Sequence, residues 1–281
     1  MGYRKQGIVM EPSEAPEAPG VLIRRTIGAE RMIMLDPVLL LDQITLDPEK
    51  VEGGAIGFPR HPHKGIETIT VVFAGLVHHK DSLGNDSSVT GLSAQWMVAG
   101  NGIFHEEYFA AAENGCEAIQ LWFNLPAAQK LKPAAYFAAP DLPAVTTGDG
   151  VTVHLISGNV ANVVGPVDGI AAAPTIFVAD LAPGAEAVLP SREGETAFVY
   201  VVSGSICSDS EPTKAIGPAR LVVYGSGGVV HVRACPDDPA RILFVSAAPL
   251  KEPVMQYRSL VMNTVDEMAD ALRDLEAGTF A

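Results

Sequence analysis

The sequence has few cysteines, few basic residues and no long apolar segment. Its three cysteines, Cys116, Cys207 and Cys235, are widely spaced and form no CxxC pair, which argues against a zinc knuckle or a disulfide framework. With 19 Lys and Arg against 33 Asp and Glu, the formal net charge is −14, which disfavours binding to nucleic acids or anionic lipids. No apolar run reaches the roughly 18 residues of a membrane span, and the first residues lack the apolar stretch of a secretion signal. We therefore expect a cytoplasmic protein with neither a nucleic-acid nor a membrane partner.

What the sequence does contain is a dispersed 48% of hydrophobic residues over 281 positions, which is typical of a packed core. Short segments rich in β-branched and aromatic residues end at Gly, Pro, Asn or Asp, as strands of sandwiches or barrels do. The predicted strands are Glu67–Ala74, Gln95–Ala99, Ala118–Leu125, Thr196–Val202, Leu221–Tyr224 and Ile242–Ser246. The chain end differs, because Thr264 and Glu267 have the spacing of a capping box and apolar residues follow at helical spacing up to Gly278. The fold class is therefore all-β with one C-terminal helix.

The two halves of the chain resemble each other. An apolar strand follows Glu67-Thr68 and also Glu195-Thr196, and the motif Gly-x-x-His at 102–105 recurs at 228–231. The repeat predicts two consecutive units of similar fold. The predicted domains are a flexible acidic leader over 1–20, a metal-binding barrel over 21–135, a barrel without a metal site over 136–262 and a helical segment over 263–281.

Two short motifs place potential metal ligands two residues apart. They are His61-Pro62-His63 and His105-Glu106-Glu107. Side chains at i and i+2 of a strand point to the same face, so two such strands facing each other would bring three imidazoles and one carboxylate together. This set suits iron, nickel, copper, manganese or zinc and leaves coordination positions open for chemistry.

The second half of the chain lacks these groups. Its residues 189–192 read Leu-Pro-Ser-Arg, with no HxH, and Arg233 stands at the position equivalent to Glu107. Because a guanidinium repels a metal ion, the sequence predicts a single metal site, in the first half. The pair His78-His79 precedes a turn-like stretch and is interpreted as a pocket rim or surface loop.

Several segments resemble the pirin family, whose members are bicupins. They are GFPRHPHKGIET at 57–68, QWMVAGNGIFHEE at 95–107, LWFNLP at 121–126, LDPVLLLD at 35–42 and the tail over 251–264. The resemblance spans roughly residues 22–280 and is weakest over the Ala-rich residues 127–180.

This resemblance implies two antiparallel β-barrels of the jelly-roll type with a C-terminal helix. It also implies one mononuclear metal ion in the N-terminal barrel, iron before nickel, copper, manganese or zinc, bound by His61, His63, His105 and Glu107. General cupins use the glutamate of the first motif instead, which here is Glu67. We favour Glu107 as the ligand, and expect Glu67 either to orient an imidazole or to serve as a buried structural acceptor.

Known relatives in the family include quercetin 2,3-dioxygenases and regulators that act through protein contacts. The resemblance therefore implies cleavage of a flavonol such as quercetin by O₂ with release of CO. Glu107 or Glu67 would act as the general base that takes the proton of the flavonol 3-hydroxyl. The alternative is a non-enzymatic, iron-dependent regulator with a protein partner, either a transcriptional coregulator or a modulator of a metabolic enzyme.

Overall fold

The structure is a computed structural model that describes residues 2–18, 20–28, 34–47, 49–50, 55–113, 115–209 and 214–281. Over these residues the chain is mostly β-strand with one α-helix near its C-terminal end, which confirms the predicted fold class. No helix in this part of the chain is long and apolar enough to cross a membrane.

The strands are numbered in chain order. The first thirteen are β1 (Tyr3–Arg4), β2 (Gln6–Met10), β3 (Ser13–Ala18), β4 (Val21–Ile27), β5 (Val38–Leu46), β6 (Ala55–His63), β7 (Ile66–Ala74), β8 (Leu76–Asp81), β9 (Asp86–Thr90), β10 (Ser93–Val98), β11 (Ile103–Ala110), β12 (Cys116–Asn124) and β13 (Ala135–Ala139). The remaining elements are β14 (Ala144–Gly148), β15 (Val151–Ser157), β16 (Asn159–Val160), β17 (Val163–Val164), β18 (Thr175–Leu181), β19 (Glu186–Pro190), β20 (Thr196–Gly204), β21 (Ile206–Cys207), β22 (Ala215–Ile216), β23 (Arg220–Tyr224), β24 (Val229–Arg233), β25 (Ala240–Ala247), β26 (Met255–Tyr257), β27 (Leu260–Met262) and the helix α1 (Val265–Ala277). A single turn of 3₁₀ helix spans Ala127–Gln129.

The chain forms two compact units. Unit I consists of Glu14–Asp141 together with Leu250–Ala281. Unit II consists of Met1–Ser13 together with Leu142–Pro249. Each unit is therefore assembled from two separate stretches of the sequence.

The predicted domain limits differ from these units at both ends of the chain. The segment 1–20, predicted to be a flexible leader, contains β1, β2 and β3, and in unit II β1 pairs with β24 and β2 pairs with β23. The predicted limit at residue 262 is also displaced, because the chain from Leu250 onward belongs to unit I. These associations join residues that are far apart in sequence, so no local pattern indicates them.

The strand order repeats between the units, which confirms the predicted internal repeat. The large sheet of unit I runs β3-β4-β5-β12-β7-β10-β13, and that of unit II runs β14-β15-β18-β25-β20-β23-β2. Corresponding predicted strands, such as β7 and β20, occupy the same place in the two sheets. A smaller sheet accompanies each, with the order β6-β11-β8-β9 in unit I and β1-β24-β19 in unit II.

Apolar side chains from both sheets of each unit form its core. In unit I, Val72 and Ala118 of the large sheet share one buried cluster with Val77 and Phe109 of the small sheet. In unit II, residues of β15, β18, β20 and β25 cluster with residues of β19 and β24. In unit I the strands β6 and β11 extend past this core, and their histidines lie in that extension.

The helix α1 begins and ends as the sequence predicts. The Thr264 side chain accepts a hydrogen bond from the Glu267 backbone N–H, and the Glu267 carboxylate accepts one in return from the Thr264 backbone N–H. Gly278 ends the helix in the left-handed conformation, which glycine adopts without steric cost. The buried Met268 and Ala271 pack against β27 and the ring of Phe280.

Lys130 holds the C-terminal segment of unit I in place. Its fully buried ammonium donates hydrogen bonds to the Asn124 side chain (2.5 Å) and to the backbone oxygens of Gly65 (2.8 Å) and Val261 (2.9 Å). Burial lowers the pKa of Lys130 to about 8, so the side chain keeps its charge and its three donors at neutral pH. These bonds tie the turn between β6 and β7 to β12 and to β27.

We expect Lys130→Met to lower the free energy of unfolding by about 3 kcal/mol, because a methionine fills the space but leaves buried oxygens without their donor. Urea denaturation measures this loss. Lys50→Met is the matched control, because Lys50 is 68% exposed and pairs with Asp47 at the surface, and it should change stability by less than about 0.5 kcal/mol. Equal stability of the two variants would contradict the role given to Lys130.

Candidate metal centre

The two histidine motifs lie on neighbouring antiparallel strands of unit I. Strand β6 ends in His61 and His63, and β11 begins near His105, which lies directly opposite His61 in the register. The register shifts between His105 and Glu107, as at a β-bulge. His63, His105 and Glu107 are buried and His61 is half-buried, whereas Glu106 and Tyr108 face away from the interior. The i, i+2 spacing thus places all four side chains on the inner face.

Three imidazoles meet at one point. The Nε2 atom of His61 lies 3.0 Å from Nε2 of His63 and 3.0 Å from Nε2 of His105. The three ring centroids are 4.4–4.9 Å apart. The same three residues form a group whose ligand atoms all lie within 4.8 Å of one another. The three side chains could therefore hold a single metal ion.

The protonation of these rings suits metal binding. Burial lowers the pKa of His63 to about 3 and also lowers the pKa of His105 and of His61. All three rings are therefore neutral at physiological pH, which is the form that binds metals. Nδ1 of His61 lies 2.9 Å from the Pro59 carbonyl oxygen, and because a carbonyl only accepts, this nitrogen carries the proton and Nε2 presents its lone pair.

The nitrogen spacing also fits a metal ion. Two nitrogens bound at about 2.1 Å and at a right angle lie about 3.0 Å apart, whereas a tetrahedral angle separates them by about 3.4 Å. The separations of 3.0 Å from Nε2 of His61 to the other two Nε2 atoms therefore match neighbouring positions of an octahedron. A six-coordinate ion held by three imidazoles keeps coordination positions for a carboxylate, a substrate or O₂.

Glu107 lies in a buried polar setting beside His105, and among the described residues it forms a group with His79 and His105, not with His61 and His63. Its Oε1 accepts a hydrogen bond from Gln95 Nε2 and its Oε2 accepts one from Gln120 Nε2, each at 2.8 Å. Burial raises the pKa of Glu107 to about 7, although these two donors favour the charged form. The carboxylate is thus oriented by two amides, and each oxygen keeps a second lone pair for a metal ion or a proton.

His79 was missed as a site residue by the sequence reasoning. The stretch predicted to be a pocket rim or loop is the hairpin β8–β9, and His79 lies opposite Glu107 in the register of β8 and β11. His79 is buried and forms a second group with His105 and Glu107 that could hold a metal ion. His78 points the other way, toward Ser88 and Asp86. The alternation of a strand could have identified His79 if β8 had been recognised.

Glu67 lies on β7, not on the strand that carries His63. The bend at Gly65 separates the two strands, and a Cβ atom at Gly65 would collide with the backbone oxygen of Val261. The Glu67 side chain is fully buried and pairs with Lys132 at 2.6 Å. Glu67 belongs to neither of the two groups, among the described residues, that could hold a metal ion.

Strand β12 contributes two side chains to the site, Gln120 and Trp122. Gln120 and Trp122 share its inner face, and Trp122 Nε1 donates to Gln120 Oε1 at 3.0 Å. The Trp122 ring meets the His63 ring edge-on, with centroids 5.1 Å apart. Trp122 and His61 are only half-buried, so the histidines are open to solvent on this side. Phe123 points to the opposite face and is fully buried.

Among the described residues of unit II, the equivalent place carries no such cluster. His231 of β24 lies 3.3 Å from Glu186, and Arg233 occupies the place of Glu107. Within the described parts of the chain, both groups that could hold a metal ion lie in unit I.

Comparison with known proteins assigns the family. Residues 20–123 match the pirin family and residues 176–281 match the pirin C-terminal cupin domain. The chain belongs to the pirin family. It is 35% identical to human pirin over 269 residues, which cover 93% of this chain and 88% of human pirin.

Two further pirin relatives carry names that mention quercetin. A Pseudomonas aeruginosa protein named "Putative quercetin 2,3-dioxygenase" is 34% identical over 273 residues, covering 95% of this chain and 94% of that protein. The crystal structure of a quercetin 2,3-dioxygenase from Acinetobacter baumannii is similar over 100% of this chain and 99% of that one, with a TM-score of 0.86 and 28% identity. The fold is therefore the bicupin fold that the sequence predicts.

Proposed function

We propose that this pirin is a metal-dependent dioxygenase that cleaves a flavonol such as quercetin with O₂ and releases CO. The observation that carries the proposal is the convergence of three neutral imidazoles, with Nε2 of His61 3.0 Å from Nε2 of both His63 and His105, and with the buried carboxylate of Glu107 beside His105. The names of the Pseudomonas and Acinetobacter relatives support quercetin as the substrate to test.

In this proposal, His61, His63, His105 and Glu107 bind one divalent ion, for which we propose iron. Three neutral imidazoles and one carboxylate reduce the charge of a divalent ion to a net +1. The right-angled spacing at His61 favours a six-coordinate ion over tetrahedral zinc, and histidine and carboxylate ligands with open positions are typical of non-haem iron oxygenases. Nickel, copper, manganese and zinc also accept histidine and carboxylate ligands.

The bound ion would acidify the 3-hydroxyl group of the flavonol and bring it next to O₂. A carboxylate oxygen of Glu107 would take the hydroxyl proton, since Gln95 and Gln120 hold that carboxylate in place and each of its oxygens keeps a second lone pair. The Trp122 ring, half-buried beside His63, offers an apolar face to a planar substrate. The deprotonated flavonol is electron-rich and reacts with O₂, and its heterocyclic ring opens with loss of CO.

Glu67 takes a structural role in this proposal, because it forms an ion pair with Lys132 and belongs to neither group of described residues that could hold a metal ion. We expect Glu67→Gln to keep metal binding and turnover but to lower the free energy of unfolding by about 1–2 kcal/mol. This is less than a fully buried pair would lose, since Lys132 is 23% exposed and can turn toward water. Urea denaturation and metal analysis measure the two quantities.

The exposed Glu276 on α1 provides the control for this variant, and Glu276→Gln should change stability by less than about 0.5 kcal/mol. Loss of metal from the Glu67→Gln protein would instead make Glu67 a ligand, as in general cupins.

Oxygen uptake by the iron-reconstituted protein with quercetin tests the proposed activity. We expect equal amounts of O₂ consumed and CO released, and neither with the His61→Ala protein. Bound iron without any O₂ consumption would contradict the dioxygenase and favour the regulator, whose protein partner would then be sought.

A further inference from the structure

A buried chain of three side chains leads from the surface hairpin of unit I to the histidine cluster. The Asp81 carboxylate lies 3.0 Å from Nε2 of His79, and Nδ1 of His79 lies 3.4 Å from Nδ1 of His105. Both partners of the first contact are inaccessible to solvent, with side-chain exposures of 1% for His79 and 0% for Asp81. His79 is also stacked on Tyr136, with ring centroids 4.0 Å apart and planes 7° apart, which fixes the plane of its ring.

The hairpin turn holds Asp81 as a carboxylate. Its Oδ1 accepts hydrogen bonds from the backbone N–H groups of Leu83 and Asn85, and its Oδ2 accepts one from the Asn85 side chain. Although burial opposes the charge, the hydrogen bonds from His79 and Asn85 hold the pKa of Asp81 below its ordinary value. An ionised carboxylate only accepts hydrogen bonds, so Nε2 of His79 must carry the proton.

The position of the proton on His79 determines which nitrogen of His105 carries its proton. With its proton on Nε2, a neutral His79 has a bare Nδ1, which can only accept. Nδ1 of His105 must then carry a proton and donate it to His79. A neutral His105 is left with a bare Nε2, and this atom faces Nε2 of His61 at 3.0 Å. Since Pro59 fixes the proton of His61 on its Nδ1, two lone pairs point at each other, an arrangement that only a cation between them makes favourable.

We propose that Asp81 and His79 are positioning residues that hold His105 in its Nδ1–H tautomer and present its Nε2 lone pair to the metal ion. This inference rests on the proposed metal site. Mutating a residue that hydrogen-bonds to the second ring nitrogen of a metal-binding histidine commonly lowers metal affinity by about 10–100-fold. The hydrogen-bonded chain from Asp81 through His79 to His105 is called the relay below. It occupies Nδ1 of His105, so the group of His79, His105 and Glu107 does not bind a second ion.

Asp81→Asn should reverse the direction of the hydrogen bonds from Asp81 to His79 and from His79 to His105, while preserving the turn between β8 and β9. The two backbone donors at Oδ1 require an oxygen there, so the amide nitrogen of the new side chain must take the place of Oδ2 and point at Nε2 of His79. The Asn85 side chain, which donates to Oδ2 in the wild type, would turn its own amide oxygen toward this nitrogen. His79 would then accept at Nε2 and carry its proton on Nδ1, facing Nδ1 of His105. Two protons cannot share that contact, so His105 would move its own proton to Nε2, where it blocks the metal.

The tautomer of His105 can be read without any metal. We expect ¹⁵N NMR of the metal-free, histidine-labelled protein to show Nδ1–H on His105 in the wild type and Nε2–H in Asp81→Asn. His78→Gln is the control, because His78 lies on the same strand but faces Ser88, and it should leave the His105 signals unchanged. A wild-type His105 that is protonated on Nε2 would overturn the proposal.

Cobalt(II) titration of the same proteins gives the second readout. We expect one cobalt ion per chain, with affinity lowered about 10–100-fold in Asp81→Asn and in His79→Phe, which keeps the ring on Tyr136 but removes the acceptor. Unchanged affinity in both variants, or a second cobalt ion per chain, would overturn the relay. Failure of the wild type itself to bind cobalt would instead overturn the proposed metal site, and the NMR result would still decide the relay.

Discussion

His61→Ala is expected to lower the affinity for a divalent metal ion by more than about 100-fold. Mutating a residue that only hydrogen-bonds to a ligand lowers this affinity by about 10–100-fold, and the loss of a ligand itself should exceed that. His61 contacts both other imidazoles through the same Nε2 atom, so its loss removes the centre of the donor set. The side chain is only half-buried, and we therefore expect the fold to persist. Calorimetric titration with iron(II) under anaerobic conditions measures the affinity, and thermal unfolding checks the fold.

The repeat supplies a matched control for this variant. His231 in unit II is the counterpart of His105 and lies at the surface beside Glu186. His231→Ala should bind iron(II) as the wild type does. Stoichiometric iron in the His61→Ala protein, with wild-type affinity, would contradict the ligand assignment.

Glu107→Gln is expected to reduce turnover of quercetin by about 10²–10⁴-fold, the usual contribution of a positioned general base. A glutamine also presents an N–H group to Gln95 or Gln120, which both donate to this position, so one amide loses its acceptor. As a proposed ligand, Glu107 should also contribute to affinity, and the variant should bind iron(II) at least about tenfold more weakly. Steady-state O₂ uptake and the same titration give the two values.

The neighbouring Glu106 is the control for this experiment, since it lies on the opposite face of β11 and is only half-buried. Glu106→Gln should keep both affinity and turnover. If Glu107→Gln also kept both, Glu107 would be neither ligand nor base. Loss of turnover with full affinity would restrict Glu107 to the transfer of the proton.

Where local geometry decides the outcome, the sequence was sufficient to predict which side chains share a face. The i, i+2 spacing of His61 and His63, and of His105 and Glu107, determines which face each side chain takes, because strands alternate. The capping box at Thr264 is equally local. The internal repeat predicted the matching strand orders of the two units.

Other features depend on contacts between distant parts of the chain. His79 joins the site only because β8 pairs with β11, and Gln120 reaches Glu107 from β12. The ion pair of Glu67 with Lys132 joins residues 65 positions apart, so no local pattern indicates it. Contacts between distant residues also decide the domain limits. The segment Met1–Ser13 belongs to unit II, although the residues that follow it belong to unit I. The segment Leu250–Ala281 belongs to unit I, although the residues that precede it belong to unit II.

Anomalous X-ray diffraction at the iron absorption edge, from crystals of the iron-loaded protein, tests the central claim most directly. We predict one anomalous peak per chain, about 2.1 Å from the Nε2 atoms of His61, His63 and His105. A peak elsewhere, with these three imidazoles still bonded to one another, would contradict the metal centre and the activity proposed from it.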